Sequence, residues 1–283
     1  MSDTDTTIVL ITGANTGIGY QTVLALLQST KNEQRGYTIL LGARSEAKAI
    51  DAIAKLKAEV SYSSTIHKRM SDLIPIAVDL DSDESIAHAF DSVRDKVDRI
   101  DVLINNAGVE LDVFGPQKGL STRQIFDRTY STNVTGTHIL TTTFVPLLLR
   151  SADPRLLFLT SGTASFDLSL DPNFILNKSP LAGWPKPPQR EMWAYKSSKV
   201  ALNMIMRDWH RLLKNDGVKV WCVNPEFVVT GLGGESETLR QMGAGDPSVS
   251  GLTVRSIVEG ERDDETGLTV QKNAPPYGVV QPW

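Results

Sequence analysis

Short aliphatic runs recur along the chain between longer segments in which hydrophobic positions return at helical spacing. The runs at residues 7–12, 37–43, 74–79, 100–105, 155–160, 218–223 and 267–271 are rich in Val, Ile or Leu, and most close on Gly, Asn, Asp or Ser. Near-continuous apolar runs of that length predict strands buried on both faces. Between them, Thr22–Leu27, Ala47–Glu59, Glu84–Val97, Arg123–Leu149 and Ala194–Leu213 carry helix-period patterns. Regular alternation of the two predicts an α/β fold, a doubly wound parallel sheet of about seven strands flanked by helices on both faces.

Two segments break this rhythm. Residues 164–192 contain Asp171-Pro172, Ser179-Pro180 and Trp184-Pro-Lys-Pro-Pro188, too much proline for a continuous helix. Residues 231–250 are glycine-rich, with a short helix expected near Ser236–Met242. Both follow strands, and long loops at the carboxyl ends of parallel strands are where ligands bind in open α/β sheets.

Composition changes little in this picture. With 283 residues, 41% hydrophobic and 22% charged, the chain can bury a large core, and no linker divides it, so one domain over 1–283 is expected. A net charge of -4 leaves no basic footprint, which argues against a nucleic-acid partner. The polar start Met1-Ser-Asp-Thr-Asp-Thr-Thr7 leads into Ile8-Val-Leu-Ile11, too short for a signal peptide or membrane span; a cytoplasmic location is expected. Cys222 is the only cysteine, which excludes an intrachain disulfide, and its apolar neighbours predict a core position. His67, His88, His138 and His210 lack metal-ligand spacing, and no metal is expected.

Candidate chemistry begins with Tyr195 and Lys199, four apart on a predicted helix and therefore on one face. A tyrosine titrates near pKa ~10, and a neighbouring ammonium favours phenolate, moving the group toward acid/base use. Far upstream, Thr12-Gly13-Ala14-Asn15-Thr16-Gly17-Ile18-Gly19 links the first strand to the first helix. In that place Gly13 takes the tight turn, Gly17 lets backbone approach a pyrophosphate and Gly19 allows close helix packing. The second strand ends Leu41-Gly42-Ala43-Arg44-Ser45, with a guanidinium and no carboxylate. Arginine there pairs with a 2′-phosphate, so the expected cofactor is NADP(H).

Four further motifs follow in order: Val78-Asp79-Leu80, Asn105-Asn106-Ala107-Gly108, Asn133 in Ser-Thr-Asn-Val-Thr-Gly, and Leu159-Thr160-Ser161-Gly162. With the glycine turn and the Tyr195/Lys199 pair, the chain from residue 7 to about 230 resembles the short-chain dehydrogenase/reductase family, which has a Rossmann-type fold. The resemblance implies that Asp79 and Leu80 contact the adenine, that Asn106, Ala107 and Gly108 line the cofactor, and that Asn133 holds a relay water through its main chain. It further implies that Ser161 hydrogen-bonds the reacting oxygen, that Tyr195 is the acid/base, and that Lys199 binds the nicotinamide ribose and lowers the tyrosine pKa. Asp79 as a helix-preceding cap, and Asn133 as a packing residue, are the plainer alternatives.

Two departures from the family pattern bear on substrate. Asn224-Pro225-Glu226-Phe227-Val228-Val229-Thr230 fits the cofactor positions Pro225, Val228 and Thr230, but Glu226 replaces a glycine. Its carboxylate either approaches the active site or points to solvent. Ser161 and Tyr195 are 34 positions apart because the proline-rich segment intervenes. Similar insertions occur in monomeric carbonyl-reductase-like members, so a monomer or dimer is expected rather than a tetramer. Phe166, Trp184, Trp193, Glu226, Phe227, Leu232 and Met242 are the expected substrate pocket. The function implied is NADPH-dependent reduction of a ketone or aldehyde with an apolar or aromatic body. Imine or enone reduction, and a noncatalytic NADP(H)-binding sensor or scaffold, are the alternatives.

Overall fold

The structure, a computed structural model, describes residues 6–30, 36–62, 71–186, 192–232, 234–274 and 278–283. Its eight-stranded sheet runs in the order β3-β2-β1-β4-β5-β6-β7-β8. These are β1 (Thr7–Ile11), β2 (Tyr37–Ala43), β3 (Asp72–Ala77), β4 (Val102–Asn105), β5 (Arg155–Leu159), β6 (Lys219–Val223), β7 (Thr269–Ala274) and β8 (Gly278–Gln281). Neighbours pair in parallel except β8, which returns antiparallel on β7. Strand order reverses between β1 and β4. Loops leaving those two strands diverge, and a cleft opens at their carboxyl ends.

Alternation of side chains across each strand explains why the runs are apolar throughout. Ile8, Leu10, Leu40, Leu103, Leu156, Phe158, Val220 and Cys222 face one buried layer. Val9, Ile11, Ile39, Leu41, Val102, Ile104, Leu157, Leu159, Trp221 and Val223 face the other. The first layer takes Phe144, Leu202 and Met206 from helices; the second takes Val23, Leu26, Leu56, Val254 and Ile257. Cys222 lies in the core, fully buried.

The helices are α1 (Gly17–Leu27), α2 (Glu46–Tyr62), α3 (Asp83–Arg94), α4 (Thr122–Tyr130), α5 (Thr137–Leu148), α6 (Phe166–Leu170), α7 (Trp193–Leu213), α8 (Ser236–Gln241) and α9 (Ser248–Val258). The expected single helix Arg123–Leu149 is instead α4, a π-helical turn at Ser131–Gly136, and α5. Gly136 explains the tight fit there, since a Cβ on it would stand 1.9 Å from the Leu80 carbonyl oxygen. β3 begins two residues earlier than expected and ends before Asp79; its Pro75 is tolerated because β3 is an edge strand.

α8 falls where a short helix was expected, but α9 and β8 carry no comparable signal. The proline-rich segment holds α6 and a 3-10 turn at Ile175–Asn177 and is otherwise irregular as far as Lys186. Pro187, Pro188 and His67 lie outside the described residues. Among the described residues, no helix is long and apolar enough to cross a membrane.

Candidate active site

The β1–α1 turn is built for close approach. Gly13 and Gly17 have φ of 63° and 58°, values in the left-handed region that a side chain would oppose. Gly19 packs so tightly that a Cβ would meet the Gly13 carbonyl oxygen at 2.7 Å and Asn106 Nδ2 at 2.5 Å. Asn106 closes the turn from the neighbouring strand: Nδ2 donates to the carbonyls of Thr12 (2.8 Å) and Gly13 (3.1 Å). Thr12 Oγ1 accepts in return from the N–H groups of Asn106 (3.1 Å) and Ala107 (3.0 Å). Two loops at the sheet's switch point are thereby locked together.

A cavity of about 490 Å³ extends along these strand ends. Gly13, Asn15, Thr16, Gly17 and Ile18 border it on one side, and Asn106, Ala107 and Gly108 on another. Arg44, Lys48, Asp79 and Leu80 surround one end, while Pro225, Thr230 and Leu232 come from the loop after β6. Thr230 sits directly over the turn, its Cγ2 3.5 Å from where a Gly17 Cβ would stand. Gly19 lies behind the lining, and Val228 is buried and bridges to Gly245 instead.

Tyr195 and Lys199 reach the same cavity from the first turns of α7. Lys199 Nζ lies 5.8 Å from the Tyr195 ring centroid and donates to the Leu159 carbonyl at 2.8 Å. Gly108 makes room for it, since a Cβ there would come within 3.3 Å of Nζ. The ionisations differ from the expectation of a lowered tyrosine pKa. Burial pushes the Tyr195 phenol up to about 12, with the Ser161 hydroxyl pulling it down and the Glu110 carboxylate adding to the rise. Burial also brings the Lys199 ammonium down to about 8, with Cys222 opposing that shift. Desolvation is the largest cause of both shifts.

Ser161 ends the β5 loop, caps the short helix that follows by accepting from the Thr163 N–H (3.2 Å), and exchanges a hydroxyl hydrogen bond with Thr163 at 2.9 Å. Asn133 occupies the π-helical turn and is buried. Its Oδ1 accepts from the Val109 N–H at 2.8 Å, and its Nδ2 donates to the Val109 carbonyl at 2.9 Å and to Ser198 Oγ at 3.0 Å. Single-turn π segments are enriched at functional sites.

Of the expected substrate pocket, Leu232 alone borders the cavity. Phe166, Trp184, Trp193, Phe227 and Met242 stand outside it, between 50% and 84% exposed. Glu226 is the one described non-glycine residue with positive φ, 66°. Its carboxyl accepts from the Lys272 backbone on β7; burial raises its pKa, with the Lys272 charge and that N–H opposing. Both readings of Glu226 therefore give way to a third: the half-buried side chain turns to the adjacent β7 rather than into the cavity. The wall facing Leu232 comes instead from Glu110, Leu111, Phe114 and Lys118, in the loop after β4. Their signal was topological, since a loop leaving a switch-point strand borders the ligand cleft whatever its composition. Lys48, in the first turn of α2, has no motif of its own and joins Arg44 only through the fold.

The family model for short chain dehydrogenase matches residues 7–172. The chain belongs to the short-chain dehydrogenase/reductase family. Short-chain dehydrogenase/reductase tropE of Talaromyces stipitatus is 39% identical over 283 residues, covering 99% of this chain and 98% of that protein. Short-chain dehydrogenase/reductase eupG of a Phoma species is also 39% identical, covering 98% and 97%. Among solved structures, the NADPH-bound carbonyl reductase from chicken fatty liver superposes with a TM-score of 0.71 at 21% identity, covering 98% of this chain and 99% of its own. The 3-ketoacyl-(acyl-carrier-protein) reductase from Brucella melitensis complexed with NADH gives 0.69 at 19% identity, covering 94% and 96%. At those identities the likeness is one of fold. As a family member this chain is an oxidoreductase that binds a nicotinamide cofactor, and its glycine turn suits one: positive φ at Gly13 and Gly17 bares backbone to the cavity at the start of α1.

Proposed function

We propose that this chain is an NADPH-dependent carbonyl reductase acting on a ketone or aldehyde with an apolar or aromatic body. The observation that carries this reading is one continuous cavity with Arg44 and Lys48 at one end and Tyr195 and Lys199 farther along. β2 ends without a carboxylate, and Arg44 just after it, joined in the cavity lining by Lys48 from α2, suits a 2′-phosphate better than a free 2′-hydroxyl. Gly13, Asn15, Thr16 and Gly17 hold the pyrophosphate, Asp79 and Leu80 the adenine, and Pro225 and Thr230 the carboxamide side. A bound nicotinamide supplies the hydride.

The residues do the rest. Tyr195 donates its proton to the carbonyl oxygen, Ser161 steadies that oxygen, and Lys199 returns the proton to Tyr195. A phenol raised by burial to about 12 stays protonated at neutral pH, the form a reductase needs before each turnover. Asn133 shapes the relay by holding Val109 and Ser198. Leu111, Phe114 and Leu232 supply an apolar wall for the substrate body.

Steady-state kinetics with both cofactors test the assignment. The wild type is expected to prefer NADPH over NADH in kcat/KM, and Arg44→Ala combined with Lys48→Ala to lose at least about tenfold of that preference, through KM for NADPH. Equal use of the two cofactors by the wild type contradicts the cofactor half of the proposal.

A further inference from the structure

We propose that Asp112 is a positioning residue that fixes the Tyr195 phenol in the cavity by clamping the start of its helix; the inference rests on reading Tyr195 as the proton donor. α7 lacks a cap of its own. Met192 at its N-cap offers no side-chain hydrogen bond, although the first N–H groups of a helix have no intrahelical partner. Asp112 supplies one from more than eighty residues away. Its Oδ1 accepts from the Ala194 N–H at 3.0 Å and its Oδ2 from the Tyr195 N–H at 2.9 Å. Both carboxylate oxygens are engaged, and a negative group at the positive end of a 21-residue helix is favoured further.

The clamp is one side of a closed ring. Tyr195 is held by its N–H to Asp112 and by its carbonyl to Ser198 Oγ, which donates at 2.7 Å. Ser198 accepts from Asn133 Nδ2 at 3.0 Å, and the Asn133 amide grips both backbone groups of Val109, at 2.8 and 2.9 Å. From Val109 the chain reaches Asp112 in three residues, through Glu110 and Leu111 on the cavity wall. The segment leaving β4 thus measures the distance between the cofactor wall and the phenol. Misplacement of a reacting group by about 1 Å costs on the order of a hundredfold in rate, so a loosened ring acts on turnover before it acts on binding.

The test compares wild type, Asp112→Ala and Asp112→Asn for kcat, for NADPH affinity by fluorescence titration, and for amide exchange of the peptide containing Ala194 and Tyr195. Asp112→Ala is expected to lower kcat by about ten- to a hundredfold with NADPH Kd within about twofold, and to speed exchange at those amides. Asp112→Asn keeps one acceptor oxygen and places an NH₂ against the second N–H, so it should fall between the two on both readouts. Wild-type kcat in Asp112→Ala overturns the proposal, whether exchange is fast or slow. Should Asp112→Ala not fold, wild-type kcat in Asp112→Asn overturns it equally. Tyr195→Phe run alongside separates the two ideas: if it retains turnover the proton-donor reading fails, while amide exchange still reports whether Asp112 holds the helix end.

Discussion

At the scale of single residues, burial governs the ionisation of Tyr195 and Lys199. Lys199 is pushed down to about 8 from its ordinary 10.5, and Tyr195 up to about 12 from 10.0. The signs predict opposite contributions to stability. Below about pH 8, Lys199 is charged in both folded and unfolded chains and the folded state bears the full cost of burying it. Between about 8 and 10.5 the folded chain gives up that proton first, so the cost fades. Between 10.0 and about 12 the unfolded chain ionises first at Tyr195, and stability falls. Comparing thermal unfolding of wild type and Lys199→Met from pH 7 to 10 checks the lysine part: the wild type should gain on the variant above about pH 8, and a constant difference contradicts it.

The same scale shows what a sequence conveys about a site. Gly13, Gly17 and Gly19 were legible because each answers a backbone demand that no other residue meets so easily. Glu226 was not, because departure from glycine at a turn leaves the side chain's direction open, and the Lys272 backbone that receives it lies on β7, far along the chain. Asp112 was equally invisible. A carboxylate clamping a remote helix has no spacing to recognise it by, and only the fold brings it to Ala194 and Tyr195.

At the scale of elements, the π-helical turn between α4 and α5 puts Asn133 where one amide serves two loops. Ser131 and Thr132 anchor the turn from its other side, each donating to Asp81 Oδ1, at 2.8 and 2.9 Å. Asn133→Ala should leave the part-buried Val109 N–H and carbonyl without their partner, a loss of about 1 kcal/mol. Urea unfolding measures it, and a stability change under about 0.5 kcal/mol contradicts the bridging role. Helical periodicity ran through residues 123–149 because a π turn keeps the chain helical, and Gly136 within it does not by itself distinguish a π turn from a close helix contact. β8 was missed for a related reason: four residues pairing on an edge need only a partner, and β7 supplies it.

At the scale of the whole molecule, the cleft follows from strand order. Reversal between β1 and β4 opens the sheet's carboxyl edge, and the glycine turn, the Asn106 loop and the start of α7 all meet there. This much was legible, since alternating strands and helices allow few topologies and place ligands at that edge. The substrate wall was not, because large apolar side chains in a long insertion resemble a pocket lining whether or not they face inward. Phe166, Trp184 and Trp193 stand outward, while Phe114 and Leu111 border the cavity.

The central claim is that Tyr195 delivers the proton in an NADPH-dependent carbonyl reduction. Its most direct test is NADPH oxidation by wild type and Tyr195→Phe against aromatic aldehydes and diketones, with NADPH affinity measured on both proteins. The account predicts turnover by the wild type, a loss in the variant of at least about a hundredfold in kcat, and NADPH binding within about threefold. Turnover by Tyr195→Phe close to that of the wild type would contradict it.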